Sequence, residues 1–387
     1  MTSDLIARAQ AGDEVAFRHL VDRHRRELHV HCYRILGSAE DAEDQVQETF
    51  LAAWQGIAGF AARASVRTWL FTIATNRCLS ALQATRRRRA LSAAPPAALP
   101  PGFMEPTSSG EVIWLQPYPD VLLEDLPEPA PGPEARYEAR EAISLAFVSA
   151  LQLLPPRQRA VLVLRDVLGF RSREVAAMLE CSEDSVSSAL KHARANLHRR
   201  LPSPADLPPA PGSAVERAVV ERLTRAYETG DVDAVVAMLT GDVVLTAPLA
   251  PGAYEGRAAA GPFLRSCVFR DGRTYRLIAT RANGQPAFGL YVRDPVAGIA
   301  HASGMLVLTL AGRRIAAMTR FDNSAAPVRA AADPARPWLT RRSAPAGWSS
   351  GSARSSRWTA STSRCRPAPC WACSGRTAPA RPRPFRS

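Results

Sequence analysis

Two proline-rich stretches divide this 387-residue chain and prevent it from folding around a single core. The first runs from Ala93 to Pro133, and the second is PSPADLPPAPGS, residues 202–213. Proline without apolar periodicity is typical of linkers. We therefore predict a multidomain chain. The predicted domains are residues 1–92, 134–203 and 214–324, with linkers at 93–133 and 204–213 and a tail at 325–387.

The hydrophobic pattern of each block predicts its fold class. In residues 1–92, apolar side chains recur at helical spacing through LIARAQAGDEVAFRHLVDRHRRELHVHCYRIL, and a further helix begins after Gly37 with Ser38 as its N-cap. Residues 134–203 are helical again, with breaks at Gly169 and at Glu180. Residues 214–324 combine a helix with β-branched runs that Gly, Asp and Asn turns separate. The sequence therefore predicts two all-α modules followed by an α+β domain.

The first linker contains an apolar segment that a free spacer would not need. Residues 111–129 read EVIWLQPYPDVLLEDLPEP, with large apolar side chains, Trp114 among them, but too many prolines for a helix. An apolar run of this kind favours docking on a folded surface. We predict that this part of the linker packs against a neighbouring domain.

Most of the net charge of +13 comes from the end of the chain, so it does not by itself indicate a binding surface. Eleven arginines and no acidic residue lie between Ala335 and Ser387, and the rest of the chain carries a net charge of only +2. The tail has no periodicity and cannot bury a core, so we predict that it is disordered. Its cysteines, Cys365, Cys370 and Cys373, lack a fourth ligand for a tetrahedral site. We predict no metal and no cofactor.

The sequence also bears on location. The N-terminus has no basic start followed by an apolar run, and no apolar stretch of 18 residues occurs, so we expect neither export nor a membrane anchor. The other four cysteines stand singly, as reduced thiols of a cytoplasmic protein do.

His29 and Cys32 in HVHC could meet on a helix, but no carboxylates adjoin them, which favours core packing over a metal site.

The stretch VRTWLFTIATNRCLSALQATRRRR, residues 66–89, is the first of two patterns that indicate nucleic-acid binding. As a helix, it has an apolar face formed by Leu70, Ala74, Cys78, Ala81 and Leu82. A polar arc opposite carries Thr72, Asn76, Ser80 and Gln83, with Trp69 beside it. Unpaired bases stack on aromatic rings and bond to amides, and the terminal arginines suit phosphates. An ordinary core helix with a basic end fits the same residues.

The second pattern has the spacing of a helix-turn-helix. REVAAMLE forms the first helix, CSED the turn, and SVSSALKHARANLH the helix that would enter a major groove. The predicted outward side chains are Ser185, Ser188, Lys191, His192 and Arg194, with Arg199 toward the DNA backbone. Glu180 begins the turn where glycine is common, and a positive φ there would cost about 1 kcal/mol. A charged αα-hairpin without DNA-binding function also fits.

Together these residues resemble the extracytoplasmic-function group of the bacterial sigma-70 family over about residues 1–201. YRILGSAEDAEDQVQETFLAAW followed by RASVRTWLFTIATNRCLSAL is similar to region 2 of that group. LPPRQRAVLVLRDVLGFRSREVAAMLECSEDSVSSALKHARANL is similar to region 4. The linker WLQPYPD and the segment AYETGDVDAVVAMLTGDVVLTAPLAPGAYEGRAAAGPFL resemble the subgroup that carries a C-terminal SnoaL-like domain.

The resemblance implies a sigma factor that binds the β′ and β subunits of core RNA polymerase and directs promoter recognition, DNA melting and initiation. Core polymerase would bind the acidic helix at Asp41, Asp44, Gln47, Glu48, Phe50 and Trp54. The −10 element would bind Arg67, Trp69, Asn76, Arg77, Gln83, Arg86 and Arg87. The −35 element would bind Ser185, Ser188, Lys191, His192, Arg194 and Arg199.

The SnoaL-like resemblance implies a curved sheet around an apolar cavity. Some such domains are isomerases or cyclases, and Asp242, Tyr254, Tyr291 and His301 could supply acid and base groups. Turn, surface and core roles explain the same four residues, and we expect no enzymatic activity. We expect this domain to regulate the sigma modules in cis. The sequence leaves open whether an anti-sigma factor or a small ligand binds this domain.

Two other functions each fit part of the sequence. A helix-turn-helix regulator with a ligand-sensing domain would bind duplex DNA without polymerase, but it leaves DAEDQVQETFLAAW unexplained. A SnoaL-type isomerase or cyclase with a DNA-binding appendage would turn over a substrate within residues 214–324.

Overall fold

A computed structural model of the chain describes residues 2–91, 104–108, 115–123, 141–199, 201, 208–247, 252–293 and 300–322. The predictions for Trp114, for the tail and for its cysteines lie outside these ranges. Within them, no helix is long and apolar enough to cross a membrane.

Five helices form the first helical module. They are α1 (Thr2–Gln10), α2 (Glu14–Asp22), α3 (Arg25–Leu36), α4 (Ala39–Gly56) and α5 (Val66–Leu91). Helix α3 is central, since every residue from Leu28 to Leu36 is buried. It ends at Gly37, whose φ of +76° only glycine adopts at low cost, and Ser38 then caps α4 through a hydrogen bond from Asp41 N. This sharp corner packs one face of α4 on the module and leaves the other in solvent.

The second helical module begins with the short 3₁₀ turn Glu141–Ile143. Its helices are α6 (Leu145–Gln152), α7 (Pro156–Leu162), α8 (Ser172–Met178) and α9 (Glu183–His198), and a π-helical turn, Val163–Val167, continues α7. The predicted break at Gly169 is found, with a φ of +71°. In the turn between α8 and α9, Glu180 has a φ of +51°. This is the positive φ that the sequence analysis considered for the first residue of the turn.

The C-terminal domain packs helices on a six-stranded sheet. The helices are α10 (Ala214–Thr229), α11 (Val232–Ala237) and α12 (Arg257–Phe263). The strands are β1 (Leu239–Thr246), β2 (Ala253–Glu255), β3 (Tyr275–Ala282), β4 (Gln285–Arg293), β5 (Ala300–Ala311) and β6 (Arg314–Asp322). Their order is β2-β1-β6-β5-β4-β3, and only β1 and β6 run parallel. The predicted fold class is confirmed: two helical modules precede a helix-plus-sheet domain.

The two faces of this sheet join different cores. Side chains alternate along a strand, so neighbouring residues point to opposite faces. Phe288, Leu306 and Leu308 pack with α10–α12 in the domain's own core. Ala287 and Val307 on the other face belong to the core that both helical modules share. The C-terminal domain therefore packs directly against the helical part of the chain.

The first linker contacts both edges of the sheet. Ser108 pairs with Ala253 of the edge strand β2, and Pro119 pairs with Ala282 of the opposite edge strand β3. Gly252 permits the first contact, because a Cβ there would lie 2.6 Å from both Pro106 Cβ and Ser108 O. The predicted docking of the apolar linker segment is also found, since Leu115 and Tyr118 are buried in the shared core.

Candidate functional site

The acidic face of α4 is exposed. Asp41, Asp44, Gln47 and Glu48 are all exposed, while Ala42 and Val46 fix the opposite face in the core. The two predicted aromatic contacts are partly buried. The Trp54 ring packs edge-on against Phe17, with centroids 5.0 Å apart, and the Arg25 guanidinium lies 5.0 Å from the centre of the Phe50 ring. The surface predicted for polymerase is therefore a solvated acidic helix face with an aromatic border.

A side chain of the linker caps the N-terminus of α4. The first turn of a helix leaves backbone N–H groups without partners inside the helix. Gln116 Oε1 accepts hydrogen bonds from Ala39 N at 3.1 Å and from Ser38 Oγ at 3.0 Å. The Gln116 N–H donates to Gly37 O at 2.8 Å, and its carbonyl accepts from the Tyr33 hydroxyl at 2.8 Å. Sequence reasoning singled out this segment of the linker but missed its capping role.

Helix α5 has the amphipathic character that its sequence predicts. Leu70, Ala74 and Cys78 are fully buried, whereas Ala81 and Leu82 are only partly buried. In the polar arc Asn76, Ser80 and Gln83 are exposed and Thr72 is partly buried. Trp69 lies beside the arc, partly buried against Phe60 with ring centroids 4.7 Å apart. The predicted Arg86 and Arg87 are exposed.

Arg67 forms an ion pair with another residue of the same module, Glu27. Its guanidinium bonds to both carboxylate oxygens of Glu27, with Nε 2.9 and 3.1 Å from them. Burial alone would raise the pKa of Glu27, but hydrogen bonds from His24 and Arg67 outweigh it and lower that pKa. The same guanidinium lies 4.9 Å from the ring centres of Phe71 and Phe170. In this conformation Arg67 joins the two helical modules, and its proposed −10 contact stays a prediction.

Two further −10 candidates also have protein partners. Asn76 Nδ2 donates to Met178 O, at the end of α8, over 3.2 Å. Arg77 Nη1 lies 3.8 Å from Glu48 Oε2. A residue predicted to contact DNA is thus paired with one predicted to contact polymerase. The −10 candidate surface therefore adjoins α8, the helix that precedes α9, and the acidic face of α4.

A cavity of about 210 Å³ lies beside the start of α5. Ile6 of α1, His24 before α3, and Phe60, Ser65 and Arg67 are among the residues that line it. Most of its surface is apolar, and it opens to solvent.

Helix α9 presents most of its predicted −35 residues to solvent. Ser185, Ser188, Lys191, His192 and Arg199 are exposed, while Val186 and Leu190 pack inward as expected. Arg194 differs, because its Nε and Nη2 bond to the two carboxylate oxygens of Asp166 at 2.8 and 2.6 Å. The Asp166 side chain is only 1% exposed. Arg194 therefore ties α9 to the turn after α7, and its DNA contact stays a prediction.

Asn283 joins the C-terminal domain to the rest of the chain. It is fully buried at the turn between β3 and β4, with a φ of +57°. Its Nδ2 donates to the Tyr33 hydroxyl at 2.9 Å and to Ile143 O at 2.8 Å, and its Oδ1 accepts from Tyr118 N at 2.8 Å. One side chain thus contacts both helical modules and the linker. The sequence Asn-Gly signals a hairpin turn, but nothing in it indicates these partners.

The histidines of the HVHC segment are buried in the protein core. His29 Nδ1 lies 2.7 Å from the Tyr118 hydroxyl, and His31 Nε2 lies 2.8 Å from Thr75 Oγ1. The four acid-base candidates of the C-terminal domain differ in their surroundings, and Tyr291 of β4 is partly buried. Asp242 and His301 are exposed, and the Tyr254 hydroxyl donates to Met104 O of the linker at 2.6 Å.

Family models match three parts of the chain in the order that the fold shows. Sigma-70 region 2 matches residues 20–88, Sigma-70 region 4 matches residues 144–197, and the SnoaL-like domain matches residues 220–318. These matches coincide with the first helical module, the second helical module and the C-terminal domain.

The chain is 43% identical over 308 residues to the ECF RNA polymerase sigma factor SigG of Mycobacterium tuberculosis, a match that covers 77% of this chain and 79% of SigG. This chain belongs to the extracytoplasmic-function (ECF) sigma factors. The ECF sigma factor SigM of the same organism is 33% identical over 199 residues, 51% of this chain and 84% of SigM. The crystal structure of the M. tuberculosis ECF sigma factor SigJ matches 78% of this chain and 94% of its own, with a TM-score of 0.51 and 23% identity, which supports the fold.

Membership of the ECF sigma factors decides among the three functions. Both sigma regions are present, together with the acidic helix that a simple helix-turn-helix regulator would not need. The similarity to SigG extends over most of the chain. Neither the regulator nor the enzyme with a DNA-binding appendage is favoured.

Proposed function

We propose that this ECF sigma factor binds core RNA polymerase through the exposed face of α4, reads the −10 element with α5 and reads the −35 element with α9, in the cytoplasm. The observation that supports this most is the presence of three separate exposed faces on helices of regions 2 and 4. The sigma factor supplies binding energy and leaves nucleotide chemistry to polymerase. We further propose that the C-terminal domain has no catalytic role.

Each DNA site suits the form of DNA that it would bind. Trp69 offers a ring for stacking, and Asn76, Ser80 and Gln83 offer groups for the edges of unpaired bases. Helix α9 presents hydroxyls and Lys191 on a convex surface that a major groove accommodates. Arg86, Arg87 and Arg199 are exposed and carry the charge that phosphates attract.

The distance between the two promoter elements supports regulation in cis. Elements centred about 25 base pairs apart lie about 85 Å apart along B-form DNA, at roughly 3.4 Å per base pair. The two modules that carry these readers are in contact here, since Asn76 of α5 bonds to Met178 of α8. They therefore have to separate before both elements can be bound at once. The C-terminal domain and the linker hold both modules, so they bias the equilibrium between closed and open conformations.

The proposed readout is tested by abortive initiation with core polymerase on a promoter library. We expect the wild-type chain to support initiation and the double variant Trp69→Ala, Asn76→Ala to reduce it at least ten-fold, because stacking is worth about 1–3 kcal/mol per base. Arg217→Ala on the exposed face of α10 is the control. Polymerase-independent duplex binding without any initiation would contradict the sigma-factor proposal.

Regulation in cis is tested by releasing the linker from β2. Gly252→Ala places a Cβ against Pro106 and Ser108 at a φ of +111°, so the linker has to leave this edge. At saturating core polymerase we expect initiation to rise two- to five-fold, because the open conformation becomes more populated. Gly241→Ala is the matched control, since its Cβ would contact nothing within 4 Å. An unchanged rate for Gly252→Ala would argue against regulation through the linker.

A further inference from the structure

The start of α4 depends on a residue that comes from outside the first helical module. Ala39 is the first residue of α4, and Asp41 and Asp44 of the proposed polymerase face follow within its first two turns. Gln116 Oε1 accepts from Ala39 N and Ser38 Oγ, and Ser38 Oγ accepts from Asp41 N. The linker side chain and Ser38 thus form one connected cap, in which the orientation of Ser38 depends on Gln116.

A short polar path connects this cap to the C-terminal domain. The Gln116 carbonyl accepts from the Tyr33 hydroxyl, which itself accepts from Asn283 Nδ2 at 2.9 Å. Asn283 also holds the linker two residues further on, through hydrogen bonds in both directions with the backbone of Tyr118. Asn283 and Tyr33 are fully buried, so water does not compete for these bonds. The turn between β3 and β4 therefore fixes where Gln116 lies.

We propose that Gln116 is a positioning residue for polymerase binding: it orders the first turn of α4, and the C-terminal domain sets its position through Asn283. The proposal rests on the proposed role of α4 in binding core polymerase. It assigns to the C-terminal domain a supporting role at the docking step, before the two helical modules separate on promoter DNA. An ordered first turn presents Asp41 and Asp44 without the entropic cost of fixing them on binding.

The test compares two substitutions of Gln116 in the full-length chain. Gln116→Ala removes the acceptor, whereas Gln116→Glu keeps an oxygen there and adds a negative charge that a helix N-terminus favours. We expect Gln116→Ala to bind core polymerase about five-fold more weakly, with faster amide exchange at residues 39–41. Gln116→Glu should stay within two-fold of wild type on both measurements. Binding is measured on immobilised core polymerase without promoter DNA.

One control separates positioning from a general loss of stability, and one further variant tests the path through Asn283. Gln10→Ala removes a glutamine whose amide bonds to Ile57 O and Phe60 O, beyond the other end of α4, and it should leave exchange at residues 39–41 and polymerase affinity unchanged. Asn283→Gly should weaken polymerase binding in the same direction as Gln116→Ala, because it removes the side chain that holds the linker. It also serves as the second variant if Gln116→Ala does not fold.

The outcomes distinguish this inference from the proposed function. Wild-type polymerase affinity for Gln116→Ala, with residues 39–41 exchanging faster, would overturn the positioning role. Slow, unchanged exchange at those residues would overturn the cap itself. Wild-type affinity for Asp44→Ala, which alters the exposed face directly, would instead refute α4 as the polymerase site.

Discussion

His31 shows how one buried side chain makes the stability of the first helical module depend on pH. It is fully buried on α3, and its Nε2 lies 2.8 Å from Thr75 Oγ1. The Thr75 hydroxyl donates its only proton to Phe71 O at 2.7 Å, so it accepts from His31 and fixes the Nε2–H tautomer. His31 Nδ1 has no partner among the described residues. Burial, reinforced by the positive charge of Arg34, lowers the pKa of His31 to about 3.

The folded chain should therefore lose stability as the pH falls below 6.5. An unfolded histidine takes up a proton near that pH, whereas folded His31 does so only near pH 3, so protons favour the unfolded state in between. We expect His31 to contribute a loss of about 2 kcal/mol between pH 7 and pH 5. Denaturant unfolding of wild type and His31→Gln checks this. Equal pH dependence of the two chains would contradict it.

At the scale of the element, α9 contains two basic residues that the sequence does not distinguish. Lys191 is exposed, whereas Arg194 forms a two-bond ion pair with the buried Asp166. Removing one partner of a fully buried pair leaves an uncompensated charge, which costs about 3–5 kcal/mol. Arg194 is partly exposed, so the cost here falls at or below the lower end of that range.

We expect Arg194→Ala to lower the unfolding free energy by about 2–3 kcal/mol, and Lys191→Ala to leave it within about 0.5 kcal/mol. Lys191→Ala should instead weaken binding of −35 duplex DNA by the polymerase complex and reduce its salt dependence. Thermal melts and duplex titrations at two salt concentrations measure both quantities. A wild-type melting temperature for Arg194→Ala would show that the ion pair contributes nothing to stability.

The same helix shows what sequence can predict. Helical spacing assigns inward and outward faces locally, so the buried Val186 and the exposed Lys191 follow from the pattern alone. The strain at Glu180 was also predictable, because the turn requires a left-handed residue there. The partner of Arg194 lies 28 residues away, and those of Asn283 lie 140 to 250 residues away. Such pairings depend on how the domains pack, which no local spacing encodes.

At the scale of the whole molecule, Asn283 couples the unfolding of the three folded parts. Asn283→Gly keeps the left-handed backbone but removes three hydrogen bonds and leaves buried partners unsatisfied, at a cost of about 2–4 kcal/mol. We expect calorimetry to show the C-terminal domain unfolding separately at a lower temperature. Asn283→Asp, which keeps only the acceptor for Tyr118 N, should have an intermediate effect. A single transition at the wild-type temperature would contradict this coupling.

The contact of the linker with both sheet edges has a consequence for the order of synthesis. Thr107 precedes its partner Ala253 by 146 residues, which a ribosome adds in about 7–30 s at roughly 5–20 residues per second. Both helical modules leave the ribosome before the strands that will hold their linker. A newly translated chain therefore has both helical modules and their linker, but no sheet to hold them together. We expect polymerase that meets the nascent chain to find its helical modules free to separate and its Gln116 not yet held in place by Asn283. The activity of a molecule then depends on its age as well as on its sequence.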